Sequence, residues 1–237
     1  MPNLYIVATP IGNLKDITLR ALEVLKSVDL ILAEDTRVTR NLLAHYNISK
    51  PLLRFDAHVQ SRTLDKLVDL LEEGKNLALI TDAGTPGISD PGYWLNCKVV
   101  EWAEKQKTTQ PFNNSTIQLI PIPGPSALAA IISASDIDLS NFTFFGFPPH
   151  KKGRQTLFKK IAKSEVPVIL FESPHRILKT FTELYKEAGD RRINVGRELT
   201  KIYEEIWRGK LSEAREHFSG ERERGEFVIV VDVPAKI

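Results

Sequence analysis

At 237 residues with 42% apolar side chains, the chain can bury one large core or two smaller ones. Its 26% charged content is ordinary for a protein in water, and no apolar run approaches the length of a bilayer-spanning helix. A single cysteine, Cys97, excludes an intrachain disulfide and a cysteine-built zinc site; with no basic, apolar leader in MPNLYIVATPIGNL, the expected compartment is the cytoplasm.

The net charge of +2 conceals an asymmetry, because residues 151–210 carry 15 Lys+Arg against 8 Asp+Glu and the remainder 17 against 22. A basic second half suits a polyanionic partner docking on one side. It suits a solvated surface equally well.

In chain order, Leu4–Ala8 reads as a short strand, and Asp16 or Thr18 is placed to cap a helix carrying Leu19, Leu22 and Leu25. Leu30–Ala33 is a second strand ending in Glu34-Asp35, followed by a helix through Leu42 and Leu43, the run Pro51–Phe55, and an amphipathic helix with Leu64, Leu67, Leu70 and Leu71. Gly74 stops that helix. Leu77–Ile80 is a buried strand, Tyr93–Lys105 a helix, Gln106–Ser115 an exposed polar excursion and Thr116–Ile120 a further strand. The pattern predicts a βα unit with a mainly parallel sheet.

The second half predicts strands at Phe142–Phe147, Val166–Phe171, Arg192–Arg197 and Glu226–Val233, with helices at Arg154–Lys163, Pro174–Glu187 and Leu211–Phe218. The last strand, FVIVVDV, alternates too little to be half-exposed and is expected to be central. Two α/β domains follow, 1–118 and 119–237, with a ligand cleft between them.

Four loops, each just after an apolar strand, are rich in Gly, Pro or polar residues: Thr9–Leu14 (TPIGNL), Thr81–Gly92 (TDAGTPGISDPG), Pro121–Ala127 (PIPGPSA) and Phe171–Arg176 (FESPHR). Any one is explained as a tight turn. Four at strand ends point to a small-molecule site, since open α/β sheets bind ligands at the carboxyl ends of their strands. Ser126 is placed to cap the helix running to Ser133, and Ser173 to cap another with Pro174 in its first turn. No dinucleotide fingerprint, P-loop or nucleophile elbow occurs, and five scattered histidines show no metal-binding spacing, so no metal is expected.

Ala33–Arg37 (AEDTR) is the acid/base candidate: Glu34 and Asp35 can accept a hydroxyl proton and Arg37 can steady an alkoxide. A strand-to-helix cap with an Asp–Arg pair accounts for it as well. Gly196–Lys201 (GRELTK) carries the same ambiguity. His150-Lys151-Lys152-Gly153-Arg154 is a basic loop suited to phosphate, or a solvated charge run.

Taken in order, LYIVATPIGNLKDITLRALEVL, LILAEDTR, TDAGTPGISDPG, PIPGPSAL, FESPHR, GRELTK and GEFVIVV resemble the tetrapyrrole-methylase superfamily over essentially the whole chain. Within it the chain is most similar to the branch that 2′-O-methylates a decoding-centre cytidine ribose of 16S ribosomal RNA. Small-ring methylases carry GDP where this chain has Gly84-Thr85-Pro86, and a glycine-rich first loop where it has ATPIGNL.

The resemblance implies S-adenosylmethionine as cofactor, 16S rRNA in the small ribosomal subunit as substrate, a homodimer, and neither membrane nor metal. It further implies cofactor contacts from Pro10, Gly12, Gly84, Thr85, Ile88, Ser126 and Ala127, with Phe171 and Leu199 lining the adenosine. Catalysis would fall to Asp35, Glu34 and Arg37, and RNA phosphates to His150, Lys151, Lys152, Arg154 and Arg176. Methylation of a small tetrapyrrole and a non-catalytic RNA-binding assembly role remain the alternatives.

Overall fold

The computed structural model describes residues 2–55, 61–89, 97, 101 and 117–234. The chain divides into two units, Met1–Ser126 and Ala127–Ile237. The first contains β1 (Asn3–Val7), α1 (Leu19–Ser27), β2 (Leu30–Ala33), α2 (Thr36–His45), β3 (Leu52–Arg54), α3 (Ser61–Glu72), β4 (Leu77–Ile80) and β5 (Gln118–Ile122). The strands form one sheet in the order β3-β2-β4-β1-β5, every neighbouring pair parallel.

A parallel sheet covered on both faces needs strands that are apolar throughout. Leu77–Ile80 is buried at every position. Alternate residues go to opposite faces: Ile31, Ala33, Ala78 and Ile80 meet Ala21, Val24, Leu25 and Leu43 of α1 and α2. Leu32, Leu77 and Leu79 meet Leu67 and Leu71 of α3. Thr18, not Asp16, caps α1 by accepting the Ala21 N–H. Leu19 is turned to solvent, so the apolar face of α1 starts at Ala21.

The division falls after Ser126 and not at 118/119, because Gln118–Ile122 pairs along Asn3–Val7 and so belongs to the first sheet. The helix expected over Tyr93–Lys105 and the polar excursion 106–115 lie outside the described residues, apart from the helical positions Cys97 and Glu101.

The second unit contains α4 (Ala127–Ala134), β6 (Thr143–Phe144), α5 (Arg154–Ala162), β7 (Val168–Glu172), α6 (Ile177–Ala188), β8 (Arg192–Arg197), β9 (Glu205–Lys210), α7 (Leu211–His217) and β10 (Phe227–Val231). Its sheet runs β6-β7-β10-β8-β9, antiparallel except for β6–β7. The fully buried β10 is central, as its unbroken apolar run requires. Phe158, Ile161, Phe181, Leu184 and Leu211 of α5, α6 and α7, with Phe218 directly after α7, share one core with β7, β8 and β10.

Three expectations change here. The strand over 142–147 shortens to Thr143–Phe144, and α6 begins at Ile177 because Ser173–Arg176 forms a turn closed by the Arg176 N–H on the Ser173 carbonyl. The edge strand β9 went unseen: EIWRGK offers no apolar run, and its pairing with β8 alone makes it a strand.

Arg191 ties the helical layer together. Only 7% exposed, it donates to the carbonyls of Ile161, Ala162, Ala188 and Asp232, the first three at the ends of α5 and α6. Burial pushes its guanidinium pKa down, yet the carbonyls at two helix C-termini hold the charge. Arg191→Leu leaves these acceptors unsatisfied and is expected to cost about 2–4 kcal/mol in urea unfolding. A loss under about 0.5 kcal/mol, the range of ordinary surface changes, contradicts this role.

Candidate active site

Because β4, β1 and β5 are adjacent and parallel, the loops that follow them leave from one edge of the sheet. They are joined by hydrogen bonds outside the strands. The Thr9 N–H donates to the Gly84 carbonyl at 2.9 Å and the Gly84 N–H to the Thr9 carbonyl at 3.1 Å. Thr9 Oγ1 donates to the Thr81 carbonyl at 3.2 Å, and Thr85 Oγ1 to the Pro125 carbonyl at 3.0 Å.

Two glycines are required for this approach. Gly84 has φ +83°, and a Cβ there would lie 3.3 Å from Ile11 Cγ2. At Gly124 a Cβ would lie 2.9 Å from Ala8 Cβ, closer than real carbons come. Pro10 is buried, Thr85, Ile88 and Ser126 are half-buried, and Gly12 is exposed. Pro10, Gly12, Gly84, Thr85, Ile88 and Ser126 thus all sit on this joined set of loops. Asp90–Gly92, the end of the longest loop, lie outside the described residues.

The acidic pair sits at the end of β2. Asp35 caps α2: its Oδ1 accepts the Arg37 N–H at 2.8 Å, and Arg37 Nη2 lies 2.6 Å from Oδ2. The Asp35 N–H donates to Asp82 Oδ1 at 3.0 Å, and the Asp82 N–H to Glu34 Oε2 at 3.5 Å. These bonds lace the loops after β2 and β4 together.

The Arg37 side chain, then its backbone N–H, hold the Asp35 carboxyl well below the usual carboxylate range. A carboxyl held this low is a weak proton acceptor, so the geometry at Asp35 favours the cap over the base. Arg37 is engaged with Asp35, and the pair raises its pKa in turn.

In the second unit, Ala127 opens α4, and the half-buried Phe171 packs edge-on against Phe144 and Phe147 at 4.9 and 5.5 Å between ring centres. Leu199 is buried over Gly196, between Glu198 and Thr200, whose φ of 49° and 69° place both in the left-handed region. His150, Lys151 and Lys152 are exposed, as phosphate contacts must be.

Arg154 and Arg176, expected to meet RNA phosphates, are turned onto partners within the protein. Arg154 is 3% exposed, with Nε 2.6 Å from Glu183 Oε2 and Nη2 2.6 Å from Thr180 Oγ1. Arg176 Nη2 lies 2.7 Å from the buried Glu172 Oε1. Both arginines are spent on an internal carboxylate, a partner that a string of basic letters does not reveal.

A model of the Tetrapyrrole (Corrin/Porphyrin) Methylases matches residues 3–215. The chain belongs to that family. It is 44% identical over 98% of its length to a Ribosomal RNA small subunit methyltransferase I of Thermotoga maritima, 98% of which is covered. It is 43% identical over 96% of its length to the protein of that name from Synechocystis, covering 78% of it. Among solved structures, a uroporphyrin-III-C-methyltransferase from Thermus thermophilus superposes with a TM-score of 0.63 at 16% identity, over 98% of this chain and 94% of the other. That likeness shows a tetrapyrrole-methylase fold.

Within that fold, residues overlooked in the sequence do much of the joining. Thr9 and Thr81 stand inside quoted motifs, but the bonds they make cross 72 positions of chain. Asp82 was legible only as a loop aspartate. Among the described residues no cluster of His, Cys, Asp or Glu is placed to hold a metal ion.

Because the folded-state pKa of Asp35 is depressed, the stability it contributes is complete above the unfolded value near ~3.9 and is lost as pH falls through the folded one. Arg37→Ala is expected to bring the Asp35 carboxyl back towards about 4, read by NMR titration of the side-chain carbon. An unchanged midpoint shows that Arg37 is not the cause.

Proposed function

We propose that this chain transfers the methyl group of S-adenosylmethionine to a ribose 2′-hydroxyl of 16S rRNA, on a cytidine of the decoding centre. The observation that carries the reading is the identity of 43–44% with proteins named Ribosomal RNA small subunit methyltransferase I, over 96–98% of this chain. The loops fit a small-molecule cofactor in kind: Gly84 and Gly124 let three loops at the carboxyl ends of parallel strands pack against Ile11 and Ala8 and so stand fixed together. The exposed His150, Lys151 and Lys152 fit a phosphate backbone.

S-adenosylmethionine supplies a methyl group already activated on a sulfonium. The residues after β1, β4 and β5 have to hold it still, since alignment of hydroxyl oxygen with methyl carbon is the main contribution left to the protein. A hydroxyl is a weak nucleophile at neutral pH and needs a proton acceptor. Glu34 takes that role here, because Asp35 is committed to Arg37 and to capping α2. The Asp82 N–H orients the Glu34 carboxylate.

The reading is tested by supplying labelled S-adenosylmethionine with small subunits from a strain lacking the modification. One methyl on the 2′-oxygen of one cytidine is expected, recognised by the resistance of its 3′ phosphodiester to alkali. Transfer to a precorrin instead, or calorimetry showing no cofactor binding, overturns it. Glu34→Gln is expected to lower kcat about 100-fold or more with cofactor Kd within about two-fold of wild type. Asp35→Asn costs less, and the reverse order removes Glu34 as the base.

A further inference from the structure

Glu172 ends β7 with its side chain fully buried, an unusual place for a carboxylate. Each oxygen is fully engaged. Oε1 lies 2.7 Å from Arg176 Nη2 and accepts the Ser173 N–H at 2.8 Å. Oε2 accepts from Thr180 Oγ1 at 2.6 Å and lies 3.6 Å from Arg154 Nη1.

The same two guanidinium groups reach a second target. Arg176 Nη1 donates to the Pro148 carbonyl at 2.7 Å, and Arg154 Nη1 to the Pro149 carbonyl at 3.3 Å. Two consecutive carbonyls of one loop are thus gripped by two arginines that share one buried carboxylate. The prolines have no N–H of their own to fasten the loop. The residues directly after this grip are His150, Lys151 and Lys152, all exposed.

We infer that Glu172 is a positioning residue for a polyanionic substrate: through Arg154 and Arg176 it fixes the Pro148 and Pro149 carbonyls and so sets the basic loop His150–Lys152 in its binding geometry. This rests on the proposed RNA function. Without the carboxylate Arg176 loses the charge it pairs with and Arg154 keeps only Glu183, and the less compensated repulsion between the two guanidinium groups loosens the grip on both carbonyls. Glutamine has the same size, but its one acceptor oxygen serves only one side of the pair, and its amide turns donors towards the other. A loop fixed before binding loses less freedom on meeting its ligand, so loosening it weakens affinity without removing a contact residue.

The test is a cycle of dissociation constants for unmethylated small ribosomal subunits, measured across a salt series. The proteins are wild type, Glu172→Gln, Lys151→Ala with Lys152→Ala, and all three changes together. The lysine pair is expected to weaken binding about ten-fold or more and to flatten the log–log salt slope by about 1–2. Glu172→Gln alone is expected to weaken binding about five-fold with a flatter slope, and less than about two-fold once the lysines are gone. An equal factor in both backgrounds, or an unchanged slope, overturns the inference and leaves the RNA reading intact. Wild-type binding by the lysine variant overturns the loop's role and this inference with it. Arg176→Lys keeps a charge beside Glu172 but cannot also hold the Pro148 carbonyl. It serves as the second variant should Glu172→Gln fail to fold, and the same non-additive pattern is expected of it.

Discussion

The candidate site depends on one exchange of backbone hydrogen bonds, between Thr9 and Gly84. β1 and β4 run parallel, and past their last paired residues the two chains would ordinarily part towards their own helices. The exchange turns both loops into a short antiparallel bridge across the edge of the sheet. Its net stability is small, about 1 kcal/mol per bond, and its effect is geometric. Thr85 reaches the Pro125 carbonyl only because Gly84 has already turned the backbone at φ +83°. The close contact of Gly124 with Ala8 then fixes the third loop against the first. Loops joined this way have met their ordering cost before any ligand arrives.

Much of the first unit was legible because its strands are short, apolar and flanked by strong punctuation. Leu77–Ile80 needs both faces covered, and a sheet between helices provides that. The long-range consequences were not legible. PIPGPS divides between a strand that pairs with β1 and a loop that meets Ala8, and no local pattern places Pro121 and Ile122 in the sheet. β9 failed for a related reason, since EIWRGK becomes a strand only by pairing with β8.

At the candidate site the motifs marked the loops that the structure joins but not each side chain's work. AEDTR admitted two readings, a base or a cap, and the hydrogen bonds at Asp35 support the cap. The basic string HKKGR divided into exposed residues and one buried one. Arg154 turns inward to Glu183, Thr180 and Glu172, and its neighbours stay in water. A charge excess counted over residues 151–210 therefore overstates the charge a polyanion can meet. The same arginines gain a different meaning as the inner ends of a clamp on Pro148 and Pro149.

Hydrogen exchange at the Thr9 and Gly84 amides of the cofactor-free protein tests most directly whether the loops are joined in advance. Protection comparable with that of amides inside β1 and β4 is the predicted result, with little further gain when S-adenosylmethionine is added. Exchange at the rate of an open loop, slowing only once the cofactor is present, would contradict the account.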